Sequence, residues 1–359
     1  MRPEELRQAI GFDDLGILPA DRSNIASRKE VDTSTKLSRN ITIEYPIIVS
    51  PMDTISDVEM CIAVNSIGAA AILHRFMPIE EQVGKAKQIL NSSGSVYVAV
   101  GLQDYQKRIA ALSQLAISVF YLDTANGSSI LVEEFMRWYN KSYANVHFAY
   151  KPDVIIGNTL SKASVYKAIN MGASGIRHGI GLGSVCLTSD MTGIQCPSVT
   201  ALYYGWKAIR GYALESLDKN IEQNLPSLLL DGGIRKPADL VKAIVCGADA
   251  VICGGIFAGC KETPGEILYK NVGGRVSYKK FRGMASKDVV EEYNLSDGAA
   301  ENLFVEGKSI EVPYTGESAV NIIYAYVNGL RSAMSYLGIS SISELRGSLW
   351  TEKCIGVRL

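Results

Sequence analysis

Short apolar runs recur along the chain, each followed by a glycine-rich or polar turn and then by a stretch with helical periodicity. The runs are PIIVS (46–50), AAILH (70–74), VYVAV (96–100), SVFYLD (118–123), DVIIG (153–157), SGIRH (174–178), SLLLD (227–231) and AVICG (250–254). Between them SDVEMCIAVNSIG, PIEEQVGKAKQILNSS, DYQKRIAALSQLA, SILVEEFMRWYNKS, SKASVYKAINMGA and KPADLVKAIVCGA read as helices, several opened by Ser, Asp or Pro in capping positions. Nearly all-apolar strands alternating with helices mean a parallel sheet covered on both faces. Eight such units predict a closed α/β fold, the (β/α)8 or TIM barrel, as a single domain over residues 1–359.

Two regions break this rhythm. The connection from Gly179 to Pro226 is far longer than a standard loop, and its first part, about 179–195, holds HGIGLGSVCLTSDMTG. After the eighth run, residues 261–316 contain YKNVGGRVSYKKFRG, which predicts a β-hairpin, and then the polar EEYNLSDGAAENLFVEG. Long irregular segments in a compact fold are commonly functional, so this second region is expected to form a mobile lid. VSYKKFRG reads as a solvated hairpin with Arg282 toward a phosphate, and VVEEY as exposed lid.

Composition removes several function classes. A formal net charge of −1 with 20% charged residues leaves no broad basic face for a nucleic-acid backbone. No stretch offers the ~18 consecutive apolar residues of a membrane span, and the N-terminus has no apolar leader, so a cytoplasmic protein is expected. Seven scattered cysteines without a CxxC pair, and only three histidines, argue against a disulfide framework and a structural zinc site.

In such a barrel the chemistry sits at the C-terminal ends of the strands. Polar and glycine residues gather there: Ser50-Pro51-Met52-Asp53, His74-Arg75, Asp123-Thr124-Ala125-Asn126-Gly127, Gly157-Asn158, the GIGLGSVC loop, Asp231-Gly232-Gly233 and Gly254-Gly255. Glycines let backbone N–H groups approach an anion, and the loops after strands seven and eight are the usual phosphate seat. Ser184, Gly233, Gly254 and Gly255 are therefore candidates for a phosphate cradle. GIGLG lacks the GxGxxG spacing of a dinucleotide fingerprint, and no P-loop occurs. Cys246 and Cys253 fall in core positions, whereas Cys186 lies in the glycine-rich loop, where backbone dipoles favour a thiolate, and is the candidate nucleophile. Thr188 can relay a proton if a carboxylate activates it, the candidates being Asp190, Glu262, Asp288 and Glu306.

With SRKEVDTSTK, SPMDTISDVEM, YLDTANG, IIGN, GIGLGSVCLT, LLDGGIRKPADLVKA, GADAVICGG, RGMAS and VEGKSIEVPYTGE in order, the chain resembles the IMP dehydrogenase and GMP reductase family over nearly its whole length. It lacks the tandem regulatory insert after strand two, as GMP reductases do. The resemblance implies that Cys186 attacks C2 of a purine, that Thr188 and Glu306 relay the proton, and that Asp231 holds the ribose. It places Ser184, Gly233, Gly254 and Gly255 at the phosphate, with Ser50, Met52, Gly283 and Met284 also on the substrate. His74, Arg75, Asp123 and Asn158 would face the cofactor, NADPH, with NADH or NAD as alternatives. Backbone carbonyls of Gly181, Gly183 and Cys186 would hold K+, and a homotetramer is expected.

The resemblance also implies departures. IMP dehydrogenases carry an Arg-Tyr pair in the lid, whose arginine activates the hydrolytic water; here Glu292-Tyr293 stands there. Phe281-Arg282-Gly283 is dehydrogenase-like. Leu303 replaces the arginine usual in reductases, Leu182 a proline, and Ala285 a polar residue. The implied activity is reductive deamination of GMP, or of dGMP or a close purine nucleotide, to IMP. IMP dehydrogenase without the regulatory domain is the alternative, and a nucleotide-binding pseudoenzyme a third reading.

Overall fold

The computed structural model describes residues 9–144, 151–216, 221–271, 275–293 and 305–359. All eight apolar runs become parallel strands: β1 (Ile47–Val49), β2 (Ala70–Leu73), β3 (Tyr97–Val100), β4 (Val119–Leu122), β5 (Asp153–Thr159), β6 (Gly175–His178), β7 (Ser227–Asp231) and β8 (Ala250–Cys253). They pair in sequence order, and β8 returns to β1 to close the barrel. Thus the fold is the (β/α)8 barrel that the periodicity predicts. The intervening helices start where the sequence offers caps: Asp57 accepts from the Val58 amide, Ser161 forms a capping box with Ser164, and Pro237 opens the helix after β7.

Alternation along the strands divides the core in two. Ile48, Ala70, Ile72, Tyr97, Val119, Tyr121, Ile155, Leu229 and Ile252 fill the barrel interior, while residues between them in sequence pack against the helices. A short hairpin of two strands, Thr35–Lys36 and Thr42–Ile43, lies across the N-terminal mouth, placing fully buried Leu37 in the interior cluster. Removing Leu37 from water is worth ~2 kcal/mol. Polar bonds fix this plug to the strand starts: the Ser227 hydroxyl donates to the Leu37 carbonyl (2.8 Å), Thr35 to the Asp249 carbonyl (2.8 Å) and Ser38 to the Asp153 carboxylate (2.7 Å). Burial pushes the Asp249 carboxyl up, while Arg346 at 3.0 Å and the Leu228 amide oppose the shift.

Beyond β8 the expected hairpin is present as β9 (Leu268–Asn271) against β10 (Arg275–Arg282). A further strand, β11 (Ser309–Pro313), pairs with β10, so part of the region read as irregular lid is a three-stranded antiparallel sheet beside the catalytic mouth. Within the expected lid, residues 294–304 lie outside those described, and Leu303 with them. No helix of the described residues is long and apolar enough to cross a membrane.

Candidate active site

A cavity of about 670 Å³ opens at the C-terminal ends of the strands. Its lining includes Ser50, Met52, Arg75, Asp123, Asn158, Gly181, Gly183, Ser184, Cys186, Thr188, Asp231, Gly233, Gly254, Gly255, Gly283, Met284 and Glu306. The structure thus gathers every predicted site residue but one. His74 is the exception: it is buried outside the cavity, its Nδ1 accepts from the Phe76 amide (3.2 Å), and Nε2 lies 3.9 Å from Asp57. As the residue after β2, it turns toward the helix beginning at Val58, and Arg75 is the one that reaches the cavity.

The loop after β6 brings the candidate nucleophile and the candidate relay together. Cys186 Sγ lies 3.3 Å from Thr188 Oγ1, whose hydroxyl donates to Glu306 Oε2 at 2.7 Å. The backbone closes the same arrangement, since the Leu187 amide donates to the Glu306 carbonyl (2.7 Å) and Cys186 bridges to Gly307. Gly307 is wedged on its other side, where a Cβ would meet the Ser286 nitrogen at 2.8 Å. Of the other carboxylates weighed for the relay, Glu262 caps the helix at Ala319, Asp288 binds Lys280 and Ser309, and Asp190 accepts from Ser189. Cys186 is half-buried, whereas burial pushes the thiols of Cys61, Cys246 and Cys260 up to about 12, outside any nucleophilic range at neutral pH.

The loops after β7 and β8 bring together the glycines expected to seat an anion. Gly232 takes φ +87°, and a Cβ there would meet the Gly183 nitrogen at 3.0 Å, so only glycine lets the two loops touch. A Cβ on Gly254 would meet Met52 Sδ at 2.8 Å and one on Gly255 the Ser184 hydroxyl at 2.9 Å. Phe281, Ile256, Ile310 and Val312 line the same cavity with apolar surface.

A charged network crosses the other end. Asp231 accepts from Asn158 Nδ2 (2.8 Å) and Arg177 Nη2 (2.9 Å); Arg177 Nη1 lies 3.6 Å from Asp123, which also accepts from Arg75 Nε (3.0 Å). The Arg177 guanidinium lies 4.5 Å above the ring of Tyr121. Arg177 and Arg235 are charged lining residues that sequence reasoning missed, although an arginine inside an otherwise apolar strand was the signal for Arg177.

Arg282 does not turn to the phosphate seat, as its position in the hairpin suggested. It is buried, with Nε 3.0 Å from Asp53 and Nη1 2.7 Å from Glu292. Tyr293, next to Glu292, places its ring 5.5 Å from that of Phe76. VVEEY is therefore only partly exposed: Val289 is buried, and Glu292 ties its helix to Arg282.

This set of groups can add a thiolate to an electrophilic carbon, pass a proton through Thr188 to Glu306, and seat a phosphate on backbone amides. No group of three or more His, Cys, Asp or Glu among the described residues is placed to hold a metal ion.

Comparison with known proteins agrees with the geometry. The model of the IMP dehydrogenase / GMP reductase domain matches residues 9–354. Inosine-5'-monophosphate dehydrogenase of Borreliella burgdorferi is 28% identical over 95% of this chain and 92% of its own length. GMP reductase 1 of Homo sapiens is 30% identical over 94% of this chain and 92% of its own. That of Aquifex aeolicus, again an inosine-5'-monophosphate dehydrogenase, is 35% identical over 70% of this chain and 48% of its own. A barrel with a cysteine, threonine and glutamate joined over a glycine cradle, matched by one family model along almost its entire length, makes this chain a member of the IMP dehydrogenase / GMP reductase family.

Proposed function

We propose that the chain reduces GMP, or a close purine nucleotide such as dGMP, to IMP with release of ammonia, using NADPH. Glu292 carries this choice of direction. Where a dehydrogenase would present a free guanidinium beside Tyr293 to activate water, this chain has a carboxylate, and that carboxylate is bound to Arg282 at 2.7 Å. Reduction needs no activated water, because hydride replaces the departing amine.

Cys186 adds through sulfur to C2 of the purine, and its proton passes by way of Thr188 and Glu306 to the 2-amino group. The C2–N bond breaks, ammonia leaves and the purine stays linked to Cys186 as a thioimidate. A reduced nicotinamide bound beside Arg75, Asp123 and Asn158 would supply the hydride to C2, and Cys186 takes back the electrons of the C–S bond as it leaves. Covalent linkage divides one difficult displacement into two easier ones. Arg75, Asp123, Asn158 and Arg177 line the end that suits a polar carboxamide, with the Arg177 Nε buried and unpartnered. The Gly181, Gly183 and Cys186 carbonyls lie on one turn, where the Gly183 oxygen accepts the Cys186 amide and keeps a second lone pair; they would hold K+ and stiffen the loop.

The rival, oxidation of IMP by NAD, needs a different residue to activate the hydrolytic water. Absorbance at the reduced-nicotinamide band separates the two: loss with GMP or dGMP and release of ammonia supports the reductase, and a gain with IMP and NAD overturns it. Cys186→Ala is expected to abolish turnover while leaving nucleotide binding intact; retained turnover would remove the covalent scheme.

A further inference from the structure

Three arginines line the cavity, Arg75, Arg177 and Arg235, and Arg282 is buried nearby. Arg75 is bound to Asp123, Arg177 to Asp231 and Asp123, and Arg282 to Asp53 and Glu292. Arg235 alone makes no ion pair among the described residues, though its charge is felt at the exposed Asp13, and its side chain is exposed at the rim. Its backbone, by contrast, is fixed on both sides: the amide donates to Asp239 Oδ2 (2.9 Å), and the carbonyl accepts from the Tyr326 hydroxyl (2.8 Å). A rigid backbone with a free guanidinium, two residues beyond Gly233, is placed for a ligand rather than for a fold contact.

The anion seat itself is electrically neutral. Its lining residues Ser184, Gly233, Gly254 and Gly255 carry no charge, and its neighbours Phe281, Ile256, Ile310 and Val312 are apolar. A phosphate dianion against such a wall loses hydration and calls for a cation, and the forked guanidinium matches phosphate oxygens in pairs. We propose that Arg235 recognises the phosphate of the substrate and so selects a purine nucleotide over its nucleoside. The inference rests on the purine-nucleotide part of the functional reading and is independent of the direction of the reaction.

Calorimetric titration of wild type, Arg235→Gln and Arg235→Lys with GMP and IMP, and with guanosine and inosine, tests it. Arg235→Gln is expected to weaken both nucleotides about tenfold to a hundredfold, the span of a charge-assisted hydrogen bond, while the nucleosides are unchanged. Arg235→Lys should recover part of the loss, and in turnover KM should rise with kcat held. Nucleotide and nucleoside affinities falling together would mark a structural role and overturn the proposal. So would unchanged nucleotide affinity, or a wild-type protein that binds nucleotides no better than nucleosides. A protein that binds GMP tightly but converts neither GMP nor IMP refutes the functional reading and leaves the Arg235 assignment standing, because the affinity gap is read without turnover.

Discussion

Acidification should loosen the strand that carries the catalytic loop, through one buried histidine. His178 closes β6, one residue before Gly179, and is fully buried. Its Nε2 lies 2.8 Å from the Ala201 carbonyl and its Nδ1 2.9 Å from the Thr159 hydroxyl, while a Cβ on Gly205 would come within 3.0 Å of the ring. Burial lowers its pKa from 6.5 to about 4, although the bond to Ala201 opposes the shift. The native ring therefore stays neutral down to about pH 4, whereas in the unfolded chain it takes up a proton below 6.5. Stability from this site is full above pH 6.5 and falls as the pH drops toward 4, by ~1.4 kcal/mol per unit in the steep part and by about 2 kcal/mol between pH 7 and 4.5. Urea midpoints measured at several pH values for wild type and His178→Gln read this directly. Asp57, held well below the usual carboxylate range by His74 and Lys85 against the effect of burial, contributes its loss only below pH 3.8. Asp249, whose carboxyl is raised, contributes in the opposite sense but equally in both proteins. Parallel curves for the two proteins would refute the argument.

Glu306→Gln keeps the side chain's shape but removes the relay's acceptor charge, so kcat should fall ~10²–10⁴-fold with little change in substrate affinity; stopped-flow turnover with equilibrium binding checks both. Asp53→Ala strips the buried Arg282 of its main partner and should cost ~3–5 kcal/mol in chemical denaturation. Glu292→Gln should cost no more than ~1 kcal/mol, because that side of the pair is solvent-exposed.

The barrel was legible because strands buried on both faces must be apolar runs, and the turns between them need glycine or caps. The glycines at the mouth were legible for a related reason: Gly233, Gly254 and Gly255 fall at strand ends, where the architecture fixes their location. The relay partner was not readable from spacing, since Glu306 reaches Thr188 from 118 residues away and nothing local separates it from Glu262 or Asp288. The family resemblance chose it. Arg282 was misplaced because its partners come from the β1 loop and the Lys287–Glu292 helix, two elements whose approach no local pattern encodes. His74 was misassigned because one residue of strand alternation separates facing the mouth from facing a helix.

The Leu37 plug separates stability from chemistry. The hairpin at 35–43 ties the starts of β5, β7 and β8 together at the end of the barrel opposite the cavity, so substitutions in it should register in denaturation midpoints and leave turnover alone.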